Sequence, residues 1–232
     1  MAEITSANQK TKTSDLQIME KYKITDRNKV KRIPERGHYD KETLYKILDD
    51  GFLCYLGFTV DNQVFVIPTL YGRNGNTVYI HGATTSRLLK NLQKGIPVCL
   101  NVTHIDGLVL ARSAFHHSMN YRSAVVFGSA TTIPDDEKEA ALRVISENIL
   151  QGRWDEVRKP NAKELRATTV LALEIQQASC KIRTGSPSDE NPDYELNVWA
   201  GIVPMPTQYG TPVPDELLKD GIPLSRSVQH IL

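Results

Sequence analysis

The chain has 232 residues, 40% of them hydrophobic, which is enough for one sizeable core. Its 28 basic and 27 acidic residues leave a net charge of +1, so no global field draws in nucleic acid or an anionic bilayer, and any anion site must be local. The start of the chain is polar, without the apolar core of a signal peptide, and no run approaches the ~18 apolar residues of a membrane span, which points to a cytoplasmic protein.

Residues 1–30 are rich in Lys, Thr, Ser, Asp and Asn with little apolar periodicity and read as a polar tail that docks weakly. Residues 31–232 read as one domain with a C-terminal arm from about residue 185. An acidic first turn, with Leu44, Ile47 and Leu48 on one face and Gly51 behind them, predicts a short helix over 40–49 that plugs one end of a barrel. From Phe52 the pattern turns to strands: 52–60, a turn at Asp61-Asn62, 64–71, a turn around Asn74-Gly75, and 77–81. A helix over 85–94 stopped by Gly95 follows, after which 97–103, 107–115 and 121–133 resume the strands. These six strands suffice for a small antiparallel barrel, so the chain reads as mainly β with peripheral helices.

A second helix is expected over about 135–150, with Leu142, Ile145 and Ile149 at helical spacing and Trp154 just beyond its end. Residues 169–183 read as one long strand, 194–204 as strand or loop, and the last 25 residues as irregular. Cys54, Cys99 and Cys180 are odd in number, widely spaced and set in apolar strands, as suits reduced core thiols rather than a zinc site or redox pair.

The stretch that carries chemistry is the strand ending at His81 and the run Gly82 to Lys90 behind it. Thr84, Thr85 and Ser86 can cap the following helix, leaving its first N–H groups for an anion. Arg87 and Lys90, three apart on one helical face, can both reach one phosphate, Arg by a planar fork and Lys as a mobile point charge. The plain alternative is a capped amphipathic surface helix. No Gly-x-x-x-x-Gly-Lys and no Gly-x-Gly-x-x-Gly occurs, so neither a nucleoside triphosphate nor a Rossmann dinucleotide site has support. A lone histidine such as His81 at a strand end is usually a hydrogen-bonded core or rim group. His116-His117 reads as two strand neighbours on opposite faces, which cannot clamp one metal or haem.

The order of Ile67-Pro68-Thr69, Tyr79-Ile-His81, the Thr85 to Lys90 run, His117-Ser-Met-Asn-Tyr-Arg-Ser-Ala-Val-Val-Phe-Gly128, Gly152-Arg-Trp and Val198-Trp-Ala-Gly closely resembles the flavin-nucleotide-binding proteins related to pyridoxamine 5′-phosphate oxidase. The resemblance implies a split β-barrel homodimer with FMN in two clefts between subunits. It implies that Val66, Ile67, Pro68 and Thr69 present backbone to the isoalloxazine edge and that Thr84, Thr85, Ser86, Arg87 and Lys90 hold the phosphate. Tyr121, Arg122 and Ser123 would lie across the dimer interface near the ring or phosphate, and Trp199 would pack against the flavin. Nitroimidazole-reducing relatives have a functional histidine at a similar strand position, which makes His81 the catalytic candidate. The oxidase follows its Trp-x-Gly with an Arg/His-rich strand that grips substrate phosphate, whereas this chain continues Ile202-Val-Pro-Met-Pro, so the resemblance carries the cofactor and not vitamin B6 oxidation. The expected function is an FMN oxidoreductase passing hydride or electrons to a small organic substrate. Two alternatives are a non-catalytic FMN carrier and a split barrel holding haem or a deazaflavin.

Overall fold

A computed structural model describes residues 20–232; the part of the expected tail over 1–19 lies outside the described residues. From Glu20 onward the segment is tied down rather than loosely docked. Tyr22 is buried and its amide donates to Tyr39 O at 2.9 Å, while the buried Asn28 amide donates to Lys23 O and Ala178 O, each at 3.0 Å. The sequence signal missed this because the docking uses one tyrosine and one asparagine, with no apolar period to read.

Strand β1 (Gly37–His38) leads into helix α1 (Lys41–Asp49). Asp40 caps α1 by accepting from the Thr43 amide at 2.8 Å, and Leu44, Ile47 and Leu48 are buried in the core. Each such side chain contributes about 1.5–3 kcal/mol by leaving water. The helix's exposed-end carbonyls are met from the barrel: Tyr71 Oη donates to Leu48 O, and His104 Nε2 donates to Ile47 O at 2.9 Å. This is the expected plug.

Asp61 and Asn62 sit at φ of 49° and 60° and form the two-residue turn between β2 (Leu53–Val60) and β3 (Gln63–Leu70). The short β4 (Gly72–Asn74) and β5 (Thr77–Ala83) make the next hairpin, and helix α2 (Arg87–Leu92) follows. The two strands expected over 97–103 and 107–115 are one, β6 (Pro97–Leu110), with a register shift between Ile105 and Gly107 that the sequence pattern mimicked as a break. Strand β7 (Ser118–Thr132) runs antiparallel to it.

Helix α3 (Lys138–Ile149), the four-residue α4 (Arg153–Glu156) and α5 (Ala162–Ala167) cover one side. The single strand expected over 169–183 is two, β8 (Thr168–Glu174) and β9 (Gln177–Arg183). β8 pairs with β5 and with Ala130–Thr132 of β7, whereas β9 pairs with Tyr121–Phe127 of β7, so the chain must step between partners at Ile175-Gln176. Gly128 permits the crossing: a Cβ there would lie 2.4 Å from Glu174 O. Hydrophobic alternation continues through the step, which is why the break was not legible.

Strand β10 (Gly201–Pro204) pairs with Gly107–Leu110 of β6, and helix α6 (Arg226–His230) near the C-terminus is held where the Ser227 amide donates to Glu156 Oε1 at 3.0 Å. The pairing order β3-β2-β6-β7-β8-β5-β4 does not close. The result is an antiparallel split barrel with its core inside and β3 as one free edge. Among the described residues no helix is long and apolar enough to cross a membrane.

Candidate functional site

The strand β5 ends at Ala83, and the turn behind it is tighter than the sequence suggested. The Thr84 amide donates to Ala167 O at 3.0 Å, the Ser86 amide to Ala83 O at 2.8 Å, and α2 begins at Arg87 instead of Thr85. Ser86 alone caps, its hydroxyl accepting from the Leu89 amide at 3.5 Å. The Thr84 N–H is therefore engaged, and among the described residues the amides of Arg87 and Leu88 are the ones left without an acceptor in this first turn.

Arg87 and Lys90 are exposed, and neither lies within salt-bridge distance of a carboxylate among the described residues. The Arg87 guanidinium stacks over the Phe65 ring at 5.1 Å, on the wall of a cavity of about 220 Å³ also lined by Phe58, Asp61 and Gln63. That stacking turns Arg87 from α2 toward the β2–β3 hairpin. Val66, Ile67, Pro68 and Thr69 lie on β3, which pairs only with β2, so one side of their backbone is free of ladder hydrogen bonds. Val66 and Pro68 point outward while Ile67 and Thr69 are half-buried.

Tyr121, Arg122 and Ser123 are brought together only in sequence. They lie inside the sheet on β7, between β6 and β9, and alternate across it. Arg122 shares its side with its cross-strand partner His104, and its guanidinium donates to Asp106 at 3.0–3.3 Å and to Asp50. Bonding to Asp106 first, and to Asp50, raises its pKa further. This neutralised cluster lines a cavity of about 760 Å³ with Thr103, His104 and Met205. Ser123 Oγ donates to Lys181 O at 3.2 Å. Arg122 is ten residues from Thr132, the end of β7 nearest the cradle, or roughly 30 Å of strand. One chain does not gather the cradle and Arg122 around one ligand.

His81 also faces away from the barrel interior. It pairs with Val170, on the side of β5 and β8 that packs Tyr79, Val170 and Ala172 against Ile133 and Ala141 of the α3 layer. Burial lowers its pKa, keeping the ring neutral, and Nδ1 is buried with no hydrogen-bond partner among the described residues. Trp199 is 65% exposed, its ring against Gly201, beside Val198 and a short walk from Tyr194, whose ring stacks under Arg112 at 4.8 Å. His116 and His117 occupy a turn and not a strand: His117 Nδ1 lies 3.0 Å from Ser113 O and His116 Nε2 lies 3.8 Å from Glu190. The alternation argument made for them from sequence therefore does not apply.

Sequence reasoning passed over α5. Its last carbonyl receives the Thr84 amide, and β8 behind it pairs Thr168 with Ala83, so the end of α5 that carries Arg166, with Lys163 three residues before it, adjoins the turn. The signal was available as two cations three apart, but nothing in the chain order linked residue 166 to residue 84.

A family model described as pyridoxamine 5′-phosphate oxidase matches residues 40–182. The FAD and heme binding protein from Mycobacterium smegmatis is similar in structure, with 37% identity and a TM-score of 0.82 over 84% of this chain and 97% of its own. The flavocytochrome Anf3 from Azotobacter vinelandii has 38% identity and a TM-score of 0.82 over 90% of this chain and 97% of its own. No curated protein is similar enough in sequence to match this chain.

Proposed function

This chain belongs to the pyridoxamine 5′-phosphate oxidase family, and on that premise we propose that it is a dimeric flavin-dependent redox protein whose flavin is FAD. The observation that carries the reading is the pair Arg87 and Lys90, without carboxylate partners among the described residues, beside the free backbone edge of β3. Two relatives at 37% and 38% identity named for FAD with haem, or as a flavocytochrome, favour FAD over the FMN expected from sequence.

The flavin, when bound, supplies hydride or electron transfer to a small organic acceptor. The chain's own residues bind and orient it. Arg87 and Lys90 neutralise phosphate, the amides of Arg87 and Leu88 donate to its oxygens, and β3 offers backbone to the ring, with Pro68 contributing a carbonyl but no N–H. His81, its pKa lowered by burial and its ring turned to the α3 layer, faces away from the barrel interior. Two observations support the homodimer reading: the cradle and Arg122 lie toward opposite ends of β7, and the outer face of β3, β2 and β6 leaves Val66 63%, Tyr55 45% and Ile105 45% exposed. A two-fold copy would cover that face and join the separated groups.

Haem as a further cofactor is a second reading, favoured by the same two relatives and by the His81 Nδ1 atom left without a partner. His81 and the outward Nε2 of His117 are the groups that could ligate its iron. Purified protein loaded with FAD tests both readings by absorption. Flavin bands that bleach anaerobically with NADH or NADPH and recover with an acceptor are expected; a Soret band lost in His81→Ala or His117→Ala identifies the haem ligand. Tight flavin binding without turnover would establish the carrier, and no flavin binding would refute the proposal.

A further inference from the structure

We propose that Lys163 and Arg166 form a second cation pair at the cradle, and that they bind the second phosphate of a dinucleotide flavin; this rests on the flavin reading above. Geometry brings α5 there. The Thr84 amide bonds Ala167 O at 3.0 Å and Ala83 pairs with Thr168, so the end of α5 and the start of α2 flank the same turn of exposed Thr84 and Thr85 hydroxyls.

The helix sorts its side chains by use. Glu164 is taken by Arg158 at 2.7–2.9 Å and by the Asn161 amide at 2.8 Å. Leu165 is half-buried, and its carbonyl accepts from Lys138 Nζ at 3.4 Å. Lys163 and Arg166, three apart, share the remaining side. Both are exposed, and neither is ion-paired among the described residues. Arg73, Arg112, Arg122 and Arg143 are each paired with a carboxylate, Asp49, Asp189, Asp106 and Asp155 respectively. Arg87 and Lys90 on α2 and Lys163 and Arg166 on α5 thus put four cations without carboxylate partners among the described residues on the two helices that flank this turn, in a chain of net charge +1.

Two pairs imply two anions. A single phosphate seated between Arg87 and Lys90 would use the charges of α2. A pair on a different helix then suits a phosphate joined to the first through one bridging oxygen, as in FAD and not in FMN. The two pairs would set the preference between flavins, not flavin binding itself.

The test titrates flavin-free wild type, the double variant Lys163→Ala/Arg166→Ala and the conservative Arg166→Lys with FAD and with FMN, following flavin fluorescence, with circular dichroism confirming the fold. FAD affinity should fall about tenfold or more in the double variant, as loss of charge-assisted contacts predicts, with FMN affinity within about twofold. Arg166→Lys should recover part of the loss because it keeps charge without the fork. Equal weakening of both flavins, no weakening of either, or wild type that takes FMN and not FAD overturns this inference alone and leaves the cations as solvated surface groups. Wild type that binds neither flavin overturns the flavin reading as well.

Discussion

Replacing Arg87 and Lys90 together by alanine removes both cations on the face of α2 that meets the proposed phosphate. A hydrogen bond to a charged partner is worth about 1.5–3 kcal/mol net, and both side chains are exposed, so the low end applies to each. Their sum of about 3 kcal/mol corresponds to a loss of flavin affinity of about a hundredfold. Arg87 is also held over Phe65 at 5.1 Å, so the variant loses a cation–π contact of about 0.5–1 kcal/mol from the folded state, a small fall in melting temperature. Fluorescence titration of the flavin-free protein at two ionic strengths separates the effects. Wild-type affinity should weaken with salt and the variant's should respond less, because screened charges carry the difference. Lys94→Ala provides the control: this lysine lies in the turn that follows the C-terminal end of α2, with Nζ 3.3 Å from Asn91 Oδ1, and its removal should change affinity little. A double variant within about threefold of wild type would remove the cradle from the reasoning.

Gly128→Ala should destabilise the fold by about 2–3 kcal/mol in urea unfolding, because the new Cβ meets Glu174 O and the Leu173 side chain where β8 steps across β7; a change below about 0.5 kcal/mol would contradict that crossing. His81, whose folded pKa is lowered by burial, stays neutral in the fold while the unfolded chain protonates below about pH 6.5, so stability is present above that pH and falls as the solution is acidified toward the folded value. His81→Asn should flatten this dependence, and an identical slope in wild type and variant would locate the titration elsewhere. Glu156 is lowered from 4.5 to about 2, first by the Ser227 hydroxyl, so its contribution is present above pH 4.5 and lost as pH falls toward 2. Protection factors of the amides over 226–230, taken relative to the intrinsic exchange rate at each pH, should fall in that window and, in Ser227→Ala, already at neutral pH; unchanged protection in the variant would show that α6 is held by other contacts.

What was legible in the sequence tracks how local each determinant is. The α1 plug, the Asp61-Asn62 hairpin and the α3 helix announce themselves through caps, turn residues and period, and each formed within a few residues of the expected bounds. The failures needed partners far along the chain. Whether 169–183 is one strand or two depends on which part of β7 lies alongside, and the apolar pattern is the same either way. At the candidate site, Arg87, Lys90 and the β3 edge could be proposed from spacing and resemblance. The engagement of Arg122 by Asp50 and Asp106 and the turn of His81 toward α3 could not, because they follow from pairing register across the sheet. The reverse error is Arg166, invisible beside Thr84 until β5 and β8 are laid together.

The proposed dimer rests on a face that can be probed without touching the cradle. Tyr55 lies at the centre of it, on β2 between Pro68 of β3 and Asn101 of β6, and is 45% exposed in the single chain. In a monomer, Tyr55→Glu places a carboxylate in water and should change stability by no more than about 0.5 kcal/mol. In a dimer that shares this face the two-fold would bury that charge unpaired; the cost is then several kcal/mol per subunit, enough to split a micromolar to nanomolar association. Light scattering after size exclusion should report a dimer for wild type and a monomer of unchanged circular dichroism for the variant. Flavin affinity should fall with dissociation, since each cleft would lose the groups that one chain keeps at the opposite end of β7 from its own cradle. A variant that stays dimeric and binds flavin as wild type does would place the interface elsewhere, and a wild-type monomer that binds flavin fully would show that the cradle and the β3 edge suffice within one chain.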